Sequence, residues 1–313
     1  MDRVERTTGG LLGVAIGDAL GLPAEGKSRP SLRRRPIEDM RGSSVGGIPA
    51  GTWSDDTSLT LCLADTLCAG FSPQRCADTF LQWFEDGLWT PFGQAFGIGR
   101  TTHNAMRALQ QGVPPLEAGG TGEYDNGNGS LMRSLPVALR YPDEEEKMLE
   151  VAHEASALTH AHPRARMSCG VFCLVAARIL KGKSPPEAYH NAVERARSVY
   201  TGSPWEAERN ELKRVLDGRA GELEVDEVSS TGYVVDTLEA ALWCLVNYDS
   251  YHATVLRAVN LGGDADTIGA VSGGLAGCCY GESAIPDEWL YSLARSDDIR
   301  QLGRRLADAV EQE

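Results

Sequence analysis

The 313-residue sequence has no surplus of positive charge, no long apolar run, no paired cysteine motif and no sustained apolar–polar alternation of strand length. Each absence excludes something. The formal net charge is −14, which disfavours a nucleic-acid backbone or an anionic membrane as partner, because both select basic surfaces. A small anionic ligand stays open, since a bound divalent metal reverses the local sign. The longest apolar run, Cys169 to Leu180, is too short to span a bilayer. The mixed-charge opening Met1-Asp2-Arg3-Val4-Glu5-Arg6 is unlike a secretory leader. None of the eight cysteines forms a Cys-x-x-Cys pair with a distant mate, which argues against zinc. They read as reduced core residues of a cytoplasmic protein.

What is present is helix signal. Residues 55–69 place Leu59, Cys62, Leu63, Thr66 and Leu67 on one face and stop at Gly70. Residues 164–180 become apolar on nearly all sides, the pattern of a helix buried in a large bundle. Residues 234–246 and 287–312 also read as helix, and prolines sit between the helical patterns. The expectation is an all-α protein of more than ten helices in one domain over 1–313, with 219–231 the only polar break of note. Glycines recur every fourth residue at 9, 13, 17 and 21, and again at 269, 273, 277 and 281. Each costs a helix roughly 1 kcal/mol against alanine. Close backbone approach between two deeply buried helices, packed against each other, would offset that cost.

Two acidic clusters precede apolar helices: Ser54-Asp55-Asp56-Thr57 and Asp264-Ala265-Asp266-Thr267. Capping accounts for one acid or hydroxyl per helix. Adjacent aspartates exceed that need and repel one another unless a cation is present. Hard oxygen ligands without Cys or His select Mg²⁺, Mn²⁺ or Ca²⁺, so the two clusters are either over-furnished caps or two halves of a metal site. Five other features are ambiguous on their own. Glu25 follows a turn after the first helical pattern and reads equally as an exposed loop acid. Asp18 lies inside that pattern as a buried polar anchor or as a support for a site. Asn126-Gly127-Asn128-Gly129-Ser130 leads into the helical pattern LMRSLPVAL, where backbone N–H groups attract phosphate, although such a turn is most often only a turn. Arg133 would support that phosphate or pair with an acid elsewhere. His160 and His162, two apart, share no helix face.

A series of stretches along nearly the whole chain carries a resemblance to a known family. The matching stretches are GGLLGVAIGDALGLPAEG at 9–26, GTWSDDTSLTL at 51–61, GRTTHNAMRAL at 99–109 and NGNGSLMRSLPVAL at 126–139. They continue with LTHAHPRA at 158–165, GYVVDTLEAALWCL at 232–245 and AVNLGGDADTIGAVSGGLAGCCYG at 258–281. In this order they resemble the ADP-ribosylglycohydrolase family, and the resemblance implies a compact orthogonal multi-helix bundle with a dinuclear Mg²⁺ or Mn²⁺ centre. Ser54, Asp55 and Asp56 would hold one ion, and Asp264, Asp266 and Thr267 the other. It implies hydrolysis of the bond between C1″ of ADP-ribose and an acceptor, most often protein arginine; a monomer is the expectation, although the sequence does not reveal the oligomeric state. Asp55, Asp56, Asp266 and Glu25 would carry the chemistry, with Glu25 as acid, base or gate. Residues 126–130 would cradle the pyrophosphate, His160 would contact phosphate or ribose, and Tyr233 would stack on adenine or sit in the core. Gly97 departs from the pattern, because many members carry Asp there; this puts the acceptor in question and leaves the metal chemistry intact. ADP-ribosyl-serine, an ADP-ribosylated nucleobase or another ADP-ribose conjugate are alternatives within the class. A non-catalytic ADP-ribose binder and a pyrophosphate-cleaving hydrolase are alternatives outside it.

Overall fold

The structure, a computed structural model, describes residues 1–42 and 47–310. Among them are fifteen α-helices and no β-strand, only isolated bridges. None of these helices is long and apolar enough to cross a membrane. The bundle is all-α, as the sequence pattern predicts. All eight cysteines are free thiols, and six of them are buried.

The packing centres on two helices, Arg3–Gly21 and Ala265–Tyr280. They run antiparallel and share the most extensive contact of any two elements. A Cβ on Gly9 would lie 2.7 Å from the carbonyl oxygen of Gly277. Methyls on Gly13 and Gly17 would overlap the carbonyls of Gly273 and Gly269 still more severely. The two glycine ridges therefore face each other backbone to backbone. The register departs from the sequence reading at one end. Gly281 ends its helix at φ +83°, and Gly21 instead meets the backbone of Ala265 and Asp266. This places Asp266 directly against the end of the first helix.

The helix Pro163–Leu180 is buried on nearly all sides, as its composition predicts. The 287–312 pattern is broken. It forms Asp287–Ser292 and Ser296–Val310, and residues 311–313 lie outside the described residues. Between the two helices Leu293 is extended and Arg295 has φ +51°. The break has a packing cause. Ala294 N–H donates to the Gly51 carbonyl at 3.0 Å, and a Cβ on Gly51 would strike Ser292. Arg295 then reaches the 87–99 loop, donating to Thr90 O at 2.9 Å with its guanidinium 5.0 Å from the Trp89 ring centre. The C-terminal region thus braces both loops that border the first acidic cluster. The 126–139 pattern is also not one helix. A single 3₁₀ turn at Asn128–Ser130 precedes the helix Leu135–Arg140. Pro136 has no N–H to donate and fits only a first turn.

Gly13→Ala or Gly273→Ala is expected to lower unfolding free energy by at least about 2 kcal/mol, because a rigid carbonyl must move. Gly99→Ala, whose methyl would meet nothing within 4 Å, should stay within about 0.5 kcal/mol of the parent. Urea denaturation of the three variants checks this.

Candidate metal centre

The helix Asp55–Leu67 is capped twice, and neither cap uses Asp55 or Asp56 as the acceptor. Ser54 Oγ accepts from Asp56 N–H at 3.3 Å. Asp18, from the first glycine helix, accepts from Ser54 N–H at 3.0 Å, Thr57 N–H at 3.1 Å and the Thr57 hydroxyl at 2.6 Å. Asp18 is therefore both a buried anchor and the residue that fixes the acidic turn. With the cap complete, Asp55 and Asp56 are left for another use. Asp56 Oδ2 accepts from Ser54 Oγ at 2.8 Å, while its Oδ1 is buried with no hydrogen-bond partner. A buried carboxylate oxygen without a partner is costly, and a cation is the simplest group to satisfy it.

The second turn is fixed as firmly. Gly262 and Gly263 adopt φ +74° and +66°. Gly26 N–H donates to Gly263 O at 2.8 Å, and Gly263 N–H returns a bond to Lys27 O at 2.9 Å. Asp264 N–H donates to Ser230 O at 2.9 Å, so the polar 219–231 break ends tied to the second acidic turn. Asp264 Oδ2 accepts from the Asn128 amide at 2.5 Å. One carboxylate oxygen from each of Glu25, Asp264 and Asp266 lies within 4.8 Å of the others. Asp56 feels the charge of Asp264, and Asp266 that of Asp56, so the two clusters are close neighbours. Over-furnished caps would have no reason to converge; these two clusters meet.

The electrostatics follow from that crowding. Burial raises the pKa of Asp55, and Asp56, Asp18 and Asp266 raise it further. Asp56 and Asp266 are raised for the same reasons, burial first and neighbouring carboxylates next. Asp18 is pushed up to about 7 by burial and by Asp266, against the hydrogen bonds that lower it. Glu25, exposed at the rim, is raised by partial burial of its carboxylate and then by Asp264. Several buried anions in contact are stable only if protonated or paired. Hard oxygen donors, an orphaned Oδ1 and a surplus of negative charge fit a divalent cation of the Mg²⁺ or Mn²⁺ type.

These carboxylates form one end of a cavity of about 630 Å³. Of the residues singled out in the sequence, Glu25, Ser54, Asp55, Asp56, Asp264, Asp266, Thr267, Gly127, Asn128, Gly129 and His160 line it. Asn126, Ser130 and Tyr233 do not. Asn126 O and Asn128 N–H pair with Val234 N–H and Gly232 O, both at 3.0 Å, which turns the first and last of these side chains away from the cavity. Ser130 Oγ is taken by Ser156 Oγ at 2.8 Å. The Tyr233 hydroxyl accepts from Arg164 at 3.1 Å. Arg133 makes no ion pair among the described residues. It is buried and donates to Gly129 O, Ala155 O and Thr159 Oγ1. Phe96, Thr102, Tyr124 and Gly232 line the cavity as well. Only the motif context of Thr102 and Gly232 could have pointed to them; Phe96 and Tyr124 carry no local signal. Gly97 has φ +81°, and a Cβ there would lie 2.6 Å from Asp55 Oδ1. The loop passes too close to Asp55 to carry a side chain without moving.

A buried chain of hydrogen bonds sets the state of His160. Arg133 Nη2 donates to Thr159 Oγ1 at 2.7 Å, and Thr159 Oγ1 lies 2.7 Å from His160 Nδ1. With Arg133 donating to it, the Thr159 hydroxyl keeps its own proton for Nδ1. That leaves the ring proton on Nε2, the nitrogen nearer the Gly127 backbone. Burial and then Arg133 push the His160 pKa down to about 3. His160 is thus a neutral imidazole held as an Nε2–H donor.

A family model described as ADP-ribosylglycohydrolase matches residues 1–313. The chain is similar to an ADP-ribosylarginine hydrolase of Pseudomonas putida, 36% identical over 318 residues, covering 99% of this chain and 80% of that protein. It is similar to the ADP-ribosyl-dinitrogen-reductase glycohydrolase of Rhodospirillum rubrum, 27% identical over 310 residues, covering 98% and 95%. Its fold matches a chain of a solved ADP-ribosylglycohydrolase-related protein complex with a TM-score of 0.81, 33% identity and 99% of both chains covered.

The His160 ¹⁵N signals should show a protonated Nε2 and a bare Nδ1. They should not move between about pH 8 and about pH 5, where an ordinary imidazole titrates. Thr159→Val should mix the tautomers, and Thr159→Ser should restore the single one. Titration of His160 near its ordinary pKa would contradict this account.

Proposed function

The chain belongs to the ADP-ribosylglycohydrolase family, and from that premise we propose that it hydrolyses the bond between C1″ of ADP-ribose and a guanidine nitrogen of an arginine side chain, releasing ADP-ribose. The observation that carries this reading is the orphaned Asp56 Oδ1 within a knot of carboxylates at one end of a nucleotide-sized cavity. The names of two relatives, an ADP-ribosylarginine hydrolase and a glycohydrolase of ADP-ribosylated dinitrogen reductase, support the class of substrate.

Ser54, Asp55 and Asp56 would hold one Mg²⁺ or Mn²⁺ ion, and Asp264, Asp266 and Thr267 a second. When bound, such ions orient a ribose diol and raise the acidity of water. The chain's own residues supply the rest. Glu25 stands at the edge of the carboxylate knot with its pKa raised. That suits it to take a proton from the attacking water and to pass one to the departing nitrogen. Bond breaking at C1″ develops oxocarbenium character, which the anionic lining stabilises. Farther along the cavity, Gly127 and Gly129 admit the ligand close to the backbone. His160 offers its Nε2–H to a phosphate or ribose oxygen. Arg133 and Thr159 keep that donor pointed, and Asp18 keeps the first acidic turn in place.

Mn²⁺ should raise the melting temperature of the wild-type chain and leave that of Asp56→Asn unchanged, a readout independent of turnover. Asp56→Asn and Asp266→Asn should each lower kcat/KM on ADP-ribosyl-arginine peptide at least about 100-fold, with chelator abolishing wild-type activity. Thr159→Val should weaken ADP-ribose binding about tenfold, the worth of one hydrogen bond of about 1.4 kcal/mol. Release of AMP in place of intact ADP-ribose, or full activity in chelator, would overturn the reading.

A further inference from the structure

Glu25 stands in two walls at once. On one side is the metal-end cavity; on the other is a second cavity of about 580 Å³ that shares Leu22, Glu25 and Ile48 with the first. The second cavity is basic: Lys27, Arg35 and Arg41 line it, and all three are exposed. Among the described residues none of their side chains makes an ion pair or hydrogen bond. Their neighbours differ, since Arg29 is tied to backbone carbonyls at 225, 228 and 261, and Arg33 pairs with Asp226. Six Lys and Arg fall in residues 27–41 against two acids, in a chain whose net charge is −14. The placement of Lys27 is fixed by the paired backbone bonds between Gly26-Lys27 and Gly263, beside Asp264.

We infer that this basic cavity binds acidic side chains of the acceptor protein next to the modified arginine. The inference rests on the reading of the metal-end cavity as the ADP-ribose site. If the nucleotide lies along Gly127, Gly129 and His160 and the scissile bond lies at Glu25, the acceptor leaves past Glu25. The unpaired cations begin there. The first cavity offers one cation, Arg100, which already donates to Tyr124 O at 2.8 Å and pairs with Asp125 at 3.7 Å. A guanidine leaving group gains nothing from three cations, but carboxylates flanking it do. In a chain of net charge −14, such a patch also favours one direction of approach for an acidic partner.

The test uses two ADP-ribosyl-arginine peptides that differ only in flanking residues, Asp/Glu in one and Asn/Gln in the other. Wild-type kcat/KM should favour the acidic peptide about tenfold at low salt and less at high salt. In Arg35→Gln/Arg41→Gln the ratio should fall to about one. Equal turnover of both peptides by wild type, or a preference that survives in the double variant, overturns this inference and leaves the arginine hydrolase reading standing. No turnover of either peptide removes both. Weaker product inhibition by free ADP-ribose in the double variant would assign the cations to the diphosphate and overturn the inference too.

Discussion

The rest of the structure depends on the absence of side chains between two helices. Gly9, Gly13 and Gly17 face Gly277, Gly273 and Gly269, and at the end of the row Gly21 meets Ala265 and Asp266. No wider spacing would serve. Asp18, one residue beyond Gly17, must reach the backbone of Ser54 and Thr57, while Asp266 must reach Asp56 and Glu25. Both demands are met because the axes are as close as polypeptide backbones allow. The helical penalty of the glycines is thus offset by the packing it permits, and that packing delivers carboxylates from opposite ends of the chain to one point.

What gathers there would repel if left as it is. Asp18, Asp55, Asp56, Asp266 and Glu25 all have raised pKa values, with burial as the first cause in each. The fold tolerates this because backbone donors, hydroxyls and the Asn128 amide hold the groups in place, and it leaves Asp56 Oδ1 without a partner. A cation would convert the repulsion into attraction. Asp18 is set apart from the others. Its hydrogen bonds all go to the cap of the Asp55–Leu67 helix, so it orients the site by fixing the first acidic turn.

The acids at 54–56 and 264–267 are legible in the sequence because repetition before two apolar helices exceeds what capping requires. The glycine ridges are legible because their spacing matches a helix face. The supporting roles are not. Nothing local marks Asp18 as the cap of a helix that starts 37 residues later. Nothing local marks Arg133 as the donor that fixes a histidine through a threonine. The break at 293–295 hides inside a good helical pattern, since its cause, Gly51, lies far away in the chain. Tyr233 and Asn126 carry attractive side chains, but backbone pairing of their segments decides where those point. Periodicity reports which face is buried, whereas these features depend on which distant segment does the burying.

The site's division between residues near 55 and residues near 265 has a consequence for synthesis. A nascent chain displays Asp55 and Asp56 long before Asp264, Asp266 and the second glycine helix have left the ribosome. Until that helix docks, the first acidic turn has no opposing jaw and Glu25 has no Gly263 to hold its turn. The complete carboxylate cluster therefore forms only after both glycine helices are made and docked.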